Sequence, residues 1–313
     1  MKNIEYGLVL EGGGAKGSYH IGAAKALEEL GMEINGISGT SIGALNGAMI
    51  LQGDLNKAFE LWYNMKPSKV YDINDKMFND LKNLKLNKKS LHYFFKKAKD
   101  IFDKKGIDNK KIREMLEEYI DEKKIRNSNK DFAIVTISVT DREGMELYLE
   151  DIPNGKLIDY LMASAYLPVF TKEKMDGKFF LDGGFYNNLP VGLLIERGYD
   201  HIIAVRTNGF GRSPNLDNLD IDIIEISPSE ELGLTLDFTV ENARKNLNMG
   251  YFDTLKIFKN LFGEKYYFNF KKDENFYFNF LANLEEKDIL ETARIFEIEN
   301  MSTKRLLFEK IIP

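Results

Sequence analysis

Ser41 lies between two glycines, Gly39 and Gly43, in the stretch GTSIG. A short apolar run comes before this stretch, and a helix-like run, residues 44–51, comes after it. The pattern G-x-S-x-G is typical of a serine nucleophile on a sharp strand-to-helix turn, where the glycines relieve crowding around an exposed hydroxyl. The alternative interpretation is a serine that caps an ordinary helix.

A glycine-rich stretch, EGGGAKG at residues 11–17, directly follows the first predicted strand. Such a loop can point backbone N–H groups at an anion, and in acyl transfer that anion is the tetrahedral oxyanion. Neighbouring parallel strands would bring this loop and the Ser41 turn to the same edge of a sheet. The sequence therefore predicts an oxyanion hole in the loop, from Gly12, Gly13, Gly14, Lys16 and Gly17. The side chain of Lys16 has two possible roles. It either contacts an anionic head group or is simply solvated.

The same loop also fits G-x-G-x-x-G, the fingerprint of dinucleotide-binding folds. Those folds place an acidic residue at the end of the second strand, to hold a ribose hydroxyl. Here that strand runs into residues 38–41, SGTS, which contain no acid. A P-loop is excluded because Ser18 stands where lysine is required. A nucleotide- or lipid-binding protein without turnover is the alternative to an enzyme.

A nucleophilic serine needs a base, and the chain has three histidines, His20, His92 and His201. The order Ser41, Asp182, His201 fits a hydrolase triad. However, His201 opens a predicted strand, so we expect it at the opposite edge of the sheet. We expect a structural role for His20, in the first helix, and a solvated or half-packed position for His92.

Asp182 is the other candidate base, because it follows a short apolar strand in FFLDGGFYNNLP, ahead of Gly183 and Gly184. An aspartate there could take the Ser41 proton directly and form a Ser–Asp dyad. An ordinary aspartate has a pKa near 3.9 and is a poor base at neutral pH. The dyad therefore requires burial that raises this pKa, or an oxyanion hole that carries much of the catalysis. The alternative is a non-catalytic aspartate that forms the turn before the two glycines.

Strands that alternate with helices must position these residues, which predicts a mainly parallel sheet. The predicted strands are 6–10, 34–38, 132–139, 146–149, 179–181, 201–205 and 221–226, and the helices between them include 18–30, 156–167 and 191–197. A lysine-rich helical insertion is predicted at about 66–130. The tail, 228–313, is mostly helical in pattern, with an aromatic hairpin at 265–280.

The insertion concentrates positive charge. Residues 82–111 hold 11 lysines and three aspartates, a local charge of 11 − 3 = +8 in a chain whose net charge is 43 − 49 = −6. One interpretation is a peripheral membrane contact, since each basic residue near an anionic surface contributes up to about 1 kcal/mol. The other is a solvated helical face.

Composition excludes or disfavours several other kinds of site and function. The 313-residue chain has no cysteine, which excludes disulfides and thiolate metal sites, and no His/Asp/Glu cluster has metal-ligand spacing. Its acidic balance argues against nucleic-acid binding. Since we find neither a signal peptide nor a membrane-spanning run, we expect a cytoplasmic protein, peripheral at a membrane surface if the insertion docks there.

Together these stretches resemble the patatin-like phospholipase family over roughly residues 5–255. GGGAKG (12–17) resembles the family's oxyanion loop, GTSIG (39–43) its nucleophile turn and DGG (182–184) its aspartate motif. ASAYLPVF (163–170) and NNLP (187–190) resemble the family's segments before and after the aspartate.

The resemblance implies a three-layer α/β/α sandwich with a mainly parallel sheet, a catalytic domain over 1–255 and a C-terminal extension, 256–313, of unassigned role. It implies a lipid acyl hydrolase that acts on phospholipids or related acyl lipids without a cofactor or metal. Ser41 would be the nucleophile, Asp182 the base, and the amides around Gly13 and Gly14 the oxyanion hole. A thioesterase or acyltransferase that uses the same serine is the alternative within enzymes.

Overall fold

The computed structural model describes residues 5–71, 107–171, 173–219, 221–263, 267–269, 271–272, 275–276, 279–280 and 283–295. His92, most of the lysine-rich stretch 82–111 and part of the predicted hairpin 265–280 lie outside the described residues. The chain divides into two compact units, Met1–Thr254 and Leu255–Pro313.

The first unit is built on a seven-stranded sheet of described strands. The strands are β1 (Tyr6–Leu10), β2 (Ile34–Thr40), β3 (Asp131–Ser138), β4 (Glu143–Tyr148), β5 (Phe180–Asp182), β6 (His201–Val205) and β7 (Asp222–Ile226). Their order is β4-β3-β2-β1-β6-β7, with β5 also paired to β3. The pairs β3–β2, β2–β1, β1–β6 and β6–β7 are parallel, which confirms the predicted mainly parallel sheet.

β4 and β5 run antiparallel to β3, and the position of β5 matters for the site. β2 pairs with the first part of β3, ending at the pair Thr40 and Val135. β5 pairs with the rest of β3, on the same side, ending at the pair Asp182 and Thr136. Since Val135 and Thr136 are consecutive, the carboxyl ends of β2 and β5 meet head-on along one edge of β3.

The helices flank this sheet and connect its strands. They are α1 (Ser18–Glu29), α2 (Ile42–Leu51), α3 (Leu55–Tyr63), α4 (Pro67–Val70), α5 (Lys110–Tyr119), α6 (Glu122–Arg126), α7 (Leu157–Ser164), α8 (Val191–Glu196), α9 (Val240–Phe258) and α10 (Glu286–Ile295). Several predicted elements have other bounds in the structure. The strand expected at 146–149 starts at Glu143, and the helix expected at 156–167 is shorter, because a turn begins after Ser164.

The two faces of the sheet bury alternate residues, as the twofold repeat of a strand requires. On one face, Val9 packs with Leu194 of α8 and Ile202 of β6. On the other face, α2 lies so close that a Cβ on Gly47 would be 2.9 Å from Ile37 and 3.3 Å from Phe132. Helices therefore cover both faces, in agreement with the α/β sandwich that the sequence predicts.

The second unit, taken by itself, contains the end of α9, an isolated β-bridge between Phe262 and Phe268, and α10. Within the described ranges of the whole chain, every helix is too short or too polar to cross a membrane.

Candidate active site

Ser41 occupies the sharp turn between β2 and α2. Its backbone angles are φ 56° and ψ −125°, a region that non-glycine residues rarely adopt. α2 starts at the next residue, so the orphan N–H groups and the positive end of the helix dipole lie at this turn. Gly43 allows the turn, because a Cβ there would lie 2.1 Å from the carbonyl oxygen of Leu10. The predicted strand–turn–helix context of Ser41 is confirmed.

Ser164, the last residue of α7, holds the backbone of the turn. The amide of Ser41 donates to Ser164 Oγ at 2.9 Å, and Ser164 Oγ donates to the carbonyl oxygen of Val135 at 2.6 Å. Ser164 is fully buried. The rare conformation of Ser41 is thus tied to β3 at the residue where β2 ends, and the Ser41 amide is already occupied by a protein acceptor.

Asp182 lies within direct reach of the Ser41 hydroxyl. Ser41 Oγ donates to Asp182 Oδ2 at 2.6 Å, while the amide of Gly184 donates to Asp182 Oδ1 at 2.8 Å. The side chain is almost entirely buried. Burial raises the pKa of Asp182 from about 3.8 to about 6, against the opposing effect of the two hydrogen bonds. The pair therefore has the geometry and the raised basicity that proton transfer from Ser41 requires.

The glycine loop faces the same point. Gly12 N donates to the carbonyl of Asn188, and Ala15 N donates to the carbonyl of Thr235. Among the described residues, the amides of Gly13 and Gly14 donate to no protein acceptor. Both glycines line a small pocket together with Ser41 and Asp182. Gly14 has φ 60°, and a Cβ there would lie 2.2 Å from the Thr235 carbonyl oxygen, so only glycine fits. These two amides can serve an oxyanion.

Side chains beneath the loop fix its position. Thr207 Oγ1 donates to the carbonyl of Gly12 at 2.6 Å. The carboxylate of Glu11, only 1% exposed, accepts from Thr207 N at 2.7 Å and from Ser213 Oγ at 3.0 Å, and lies 3.4 Å from Arg206 Nε. A buried carboxylate with such partners is held in one place. The loop is therefore preorganised before substrate arrives.

Lys16 and Gly17, two members of the predicted oxyanion hole, face other groups. Lys16 Nζ donates to the carbonyl oxygens of Thr207 and Asn208, at 3.3 and 3.1 Å, and burial lowers its pKa. Gly17 lets α1 approach α2, since a Cβ there would lie 2.4 Å from Ile42. Both residues support the loop rather than line the pocket in front of Ser41.

Neither described histidine reaches the site. His201 opens β6, pairs in register with Tyr6 at the amino end of β1, and its Nδ1 lies 3.0 Å from Asp222 Oδ2. His20 is fully buried in α1, where burial lowers its pKa to about 3 and keeps it neutral, with Nδ1 3.4 Å from Asn46 Nδ2. Both positions agree with the predictions from sequence. The described residues also contain no cluster of three or more His, Asp or Glu side chains suited to a metal ion.

An apolar pocket opens from Ser41 into the helical layer. Ser41 and Gly14 form part of its wall. The rest of the wall comes mainly from α2, α3, α5 and the segments around Phe170 and Phe238. Pockets with a lining of this apolar character bind apolar ligands with a few polar groups at one end.

Three residues that support the site, Ser164, Glu11 and Thr207, have no role predicted from the sequence. Ser164 lies in ASAYLPVF, where a serine at the end of an apolar helix gives no sign of its partner. Glu11 does give a signal, because a charged residue between an apolar strand and three glycines must be paired if it is buried. Thr207 gives none, since only the sheet brings it to the glycine loop.

Part of the chain matches known proteins. The family model "Patatin-like phospholipase" matches residues 8–195. "Neuropathy target esterase sws" of Drosophila melanogaster is 29% identical over 214 residues, which are 64% of this chain and 12% of that protein. A 43-residue stretch is 63% identical to part of "Lysophospholipase nte1" of Aspergillus terreus. The stretch covers 14% of this chain and 3% of that protein. The matched part is thus a small fraction of each relative's length.

Among solved structures, the crystal structure of VipD from Legionella pneumophila superposes with a TM-score of 0.51. The match covers 83% of this chain and 67% of that chain at 16% sequence identity, so it shows a shared fold.

Removing the Ser164 hydroxyl is expected to lower turnover by about 10–100-fold, because the Ser41 backbone loses the acceptor that holds its rare conformation. We expect Ser164→Ala to affect kcat more than KM. The matched control is Ser138→Ala, because Ser138 is also fully buried. Its hydroxyl, in β3, donates to Asp141 Oδ2 at 2.6 Å and does not contact Ser41. Equal kcat losses in the two variants would contradict a positioning role for Ser164.

The buried charge of Asp182 is expected to cost stability above pH 6. Its pKa is higher in the folded protein than the ordinary value, so ionisation opposes folding. The cost is absent below about pH 4, grows between pH 4 and 6, and reaches roughly 3 kcal/mol above that range. Asp182→Asn should therefore be more stable than the wild type at pH 8, and the gain should vanish near pH 4. Urea unfolding across this range measures the difference; a gain independent of pH would contradict it.

Proposed function

This chain belongs to the patatin-like phospholipase family, a family of carboxylic ester hydrolases, and from that premise we propose that it is a serine lipid acyl hydrolase with a Ser41–Asp182 dyad. The observation that carries the proposal is the 2.6 Å hydrogen bond from Ser41 Oγ to the buried Asp182 carboxylate, at the mouth of an apolar pocket. The substrates would be carboxylic esters of phospholipids, lysophospholipids or related acyl lipids.

In the acylation step, Ser41 Oγ attacks the ester carbonyl carbon while its proton moves to Asp182. The carbon–oxygen bond to the alcohol then breaks, and the alcohol leaves with the proton from Asp182. The raised pKa of Asp182, about 6, supports both transfers. At neutral pH most of the carboxylate is ionised and ready to accept a proton, yet it is basic enough to be a useful acceptor.

Charge that develops on the carbonyl oxygen needs donors already in place. The amides of Gly13 and Gly14 are the candidates, because they line the pocket with Ser41. The Ser41 amide is engaged by Ser164, so it is not free to donate to the oxyanion. Loss of one such donor typically costs about 3–4 kcal/mol of transition-state stabilisation.

In the deacylation step, water attacks the acyl-enzyme and gives its proton to Asp182, which returns the proton to Ser41 as the fatty acid leaves. If an alcohol or thiol took the place of water, the same site would act as an acyltransferase, and a thioester substrate would make it a thioesterase. The apolar pocket fits the acyl part in each case. Hydrolysis is favoured because the matched family is one of phospholipases. The lysine-rich stretch 82–111 keeps both interpretations, a peripheral membrane contact and a solvated helical face.

The test is the release of fatty acid from lysophosphatidylcholine, with capture of the acyl-enzyme by peptide mass spectrometry. We expect a fatty acyl group on Ser41 in the wild type. Ser41→Ala and Asp182→Asn should each lose at least about 10³-fold in kcat, as removal of members of a catalytic unit typically does. Asp141→Asn, which removes a partly exposed carboxylate outside the pocket, is the matched control and should keep activity. Turnover in a folded Ser41→Ala variant would contradict the proposal.

A further inference from the structure

Two helices line the apolar pocket with the same spacing. α2 contributes Ile42, Leu45, Asn46 and Met49, and α5 contributes Ile112, Met115, Leu116 and Tyr119. Each set follows the spacing i, i+3, i+4, i+7, which places the side chains in one stripe along a helix. The pocket is therefore a channel between two stripes. It starts beside Ser41 and follows α2 away from the nucleophile.

Polar contacts join α2 and α5 at the end of this channel that lies away from Ser41. Gln52, just after α2, donates through Nε2 to the carbonyl of Tyr119 at 2.7 Å and accepts from Asp121 N at 2.9 Å. Lys57 Nζ lies 4.8 Å from the centre of the Tyr119 ring. Because these contacts join the ends of α2 and α5, the last side chains of the two stripes form an end wall. They are Met49, Leu116 and Tyr119.

Helix geometry sets the length of the channel. The seven residue-to-residue steps from Ile42 to Met49 rise about 10 Å at roughly 1.5 Å per step. An extended acyl chain advances roughly 1.25 Å per methylene, the projection of a carbon–carbon bond of about 1.5 Å. The channel thus holds about eight carbons beyond the ester carbonyl, which corresponds to acyl chains of about eight to ten carbons.

We propose that the end wall of Met49, Leu116 and Tyr119 sets the acyl-chain length that this enzyme prefers. Chains of about eight to ten carbons fill the channel, and further methylenes gain nothing because they meet the wall. The inference rests on the proposed function, since it assumes that the acyl chain of a Ser41 ester lies in this channel. It assigns these residues to chain-length specificity and not to the chemical step.

The test is the kcat/KM of the full chain with p-nitrophenyl esters of C4 to C14 fatty acids, used as monomers. For the wild type we expect a rise of up to about fourfold per methylene as far as C8 to C10, followed by a plateau or a fall. Tyr119→Ala opens the end wall and should raise the C14 to C8 ratio about tenfold. Met49→Phe narrows the channel and should lower the C10 to C6 ratio about tenfold.

The matched control is Tyr63→Ala, which removes an exposed aromatic ring of α3 that does not line the pocket, and its profile should follow the wild type. Parallel chain-length profiles for the wild type, Tyr119→Ala and Met49→Phe would overturn the proposal while leaving the hydrolase intact.

A second measurement does not depend on catalysis. Calorimetric binding of C6 to C16 alkanoates to Ser41→Ala should show the same length limit, and the Tyr119→Ala change should extend it. Binding that keeps strengthening through C16 in both proteins would overturn the role of the end wall. Absence of ester turnover together with a clear binding limit would instead contradict the proposed function alone.

Discussion

The hydrogen bond between Ser41 and Asp182 depends on one feature of the sheet, the way β3 holds two strands end to end. β2 uses the first residues of β3 and β5 the next ones, so residues 141 positions apart arrive at neighbouring peptides. The approach is so close that a Cβ on Gly183 would lie 2.2 Å from the carbonyl oxygen of Val135. The rest of the site is arranged around this junction.

The junction carries two local costs, and the surrounding structure compensates for both. Ser41 has a rare backbone conformation, which typically costs about 1–3 kcal/mol, and Ser164 restrains it from β3. Asp182 is a buried carboxylate that no cationic side chain of the described residues contacts, and two hydrogen bonds support it. Burial destabilises the charged form, and the same burial makes the carboxylate a better base. The burial that costs stability at Asp182 is therefore also what makes this carboxylate useful as a base.

The sequence was sufficient for the parts of the site that are local. The turn at Ser41, the glycine loop and Asp182 each follow a recognisable strand, and their order matches the family. The antiparallel β5 was not predicted, because three apolar residues carry no sign of direction. Position in the loop predicts Gly17 and Lys16 as members of the oxyanion hole. Their neighbours come from α2 and from residues 207–208, which spacing along the loop does not reveal.

The sequence also does not reveal the channel, because it shows an apolar helix face but not what that face packs against. Helical spacing at Ile112, Met115, Leu116 and Tyr119 was visible in the sequence as an apolar face. An apolar face looks the same whether it packs against a core or lines a cavity. The contact of Gln52 with Tyr119, between residues 67 positions apart, joins the ends of the two helices, and spacing along the chain does not reveal it.

The central claim is that Asp182 is the base for Ser41, and the most direct measurement is the rate of Ser41 phosphonylation by a fluorophosphonate as a function of pH. Attack on this reagent needs the nucleophile and its base but no lipid interface. The account predicts a rate that falls below an apparent pKa near 6, the value to which burial raises Asp182, and a rate at least about 10³-fold lower in Asp182→Asn. A wild-type rate without an inflection between pH 4 and 8, or an unchanged rate in Asp182→Asn, would contradict it.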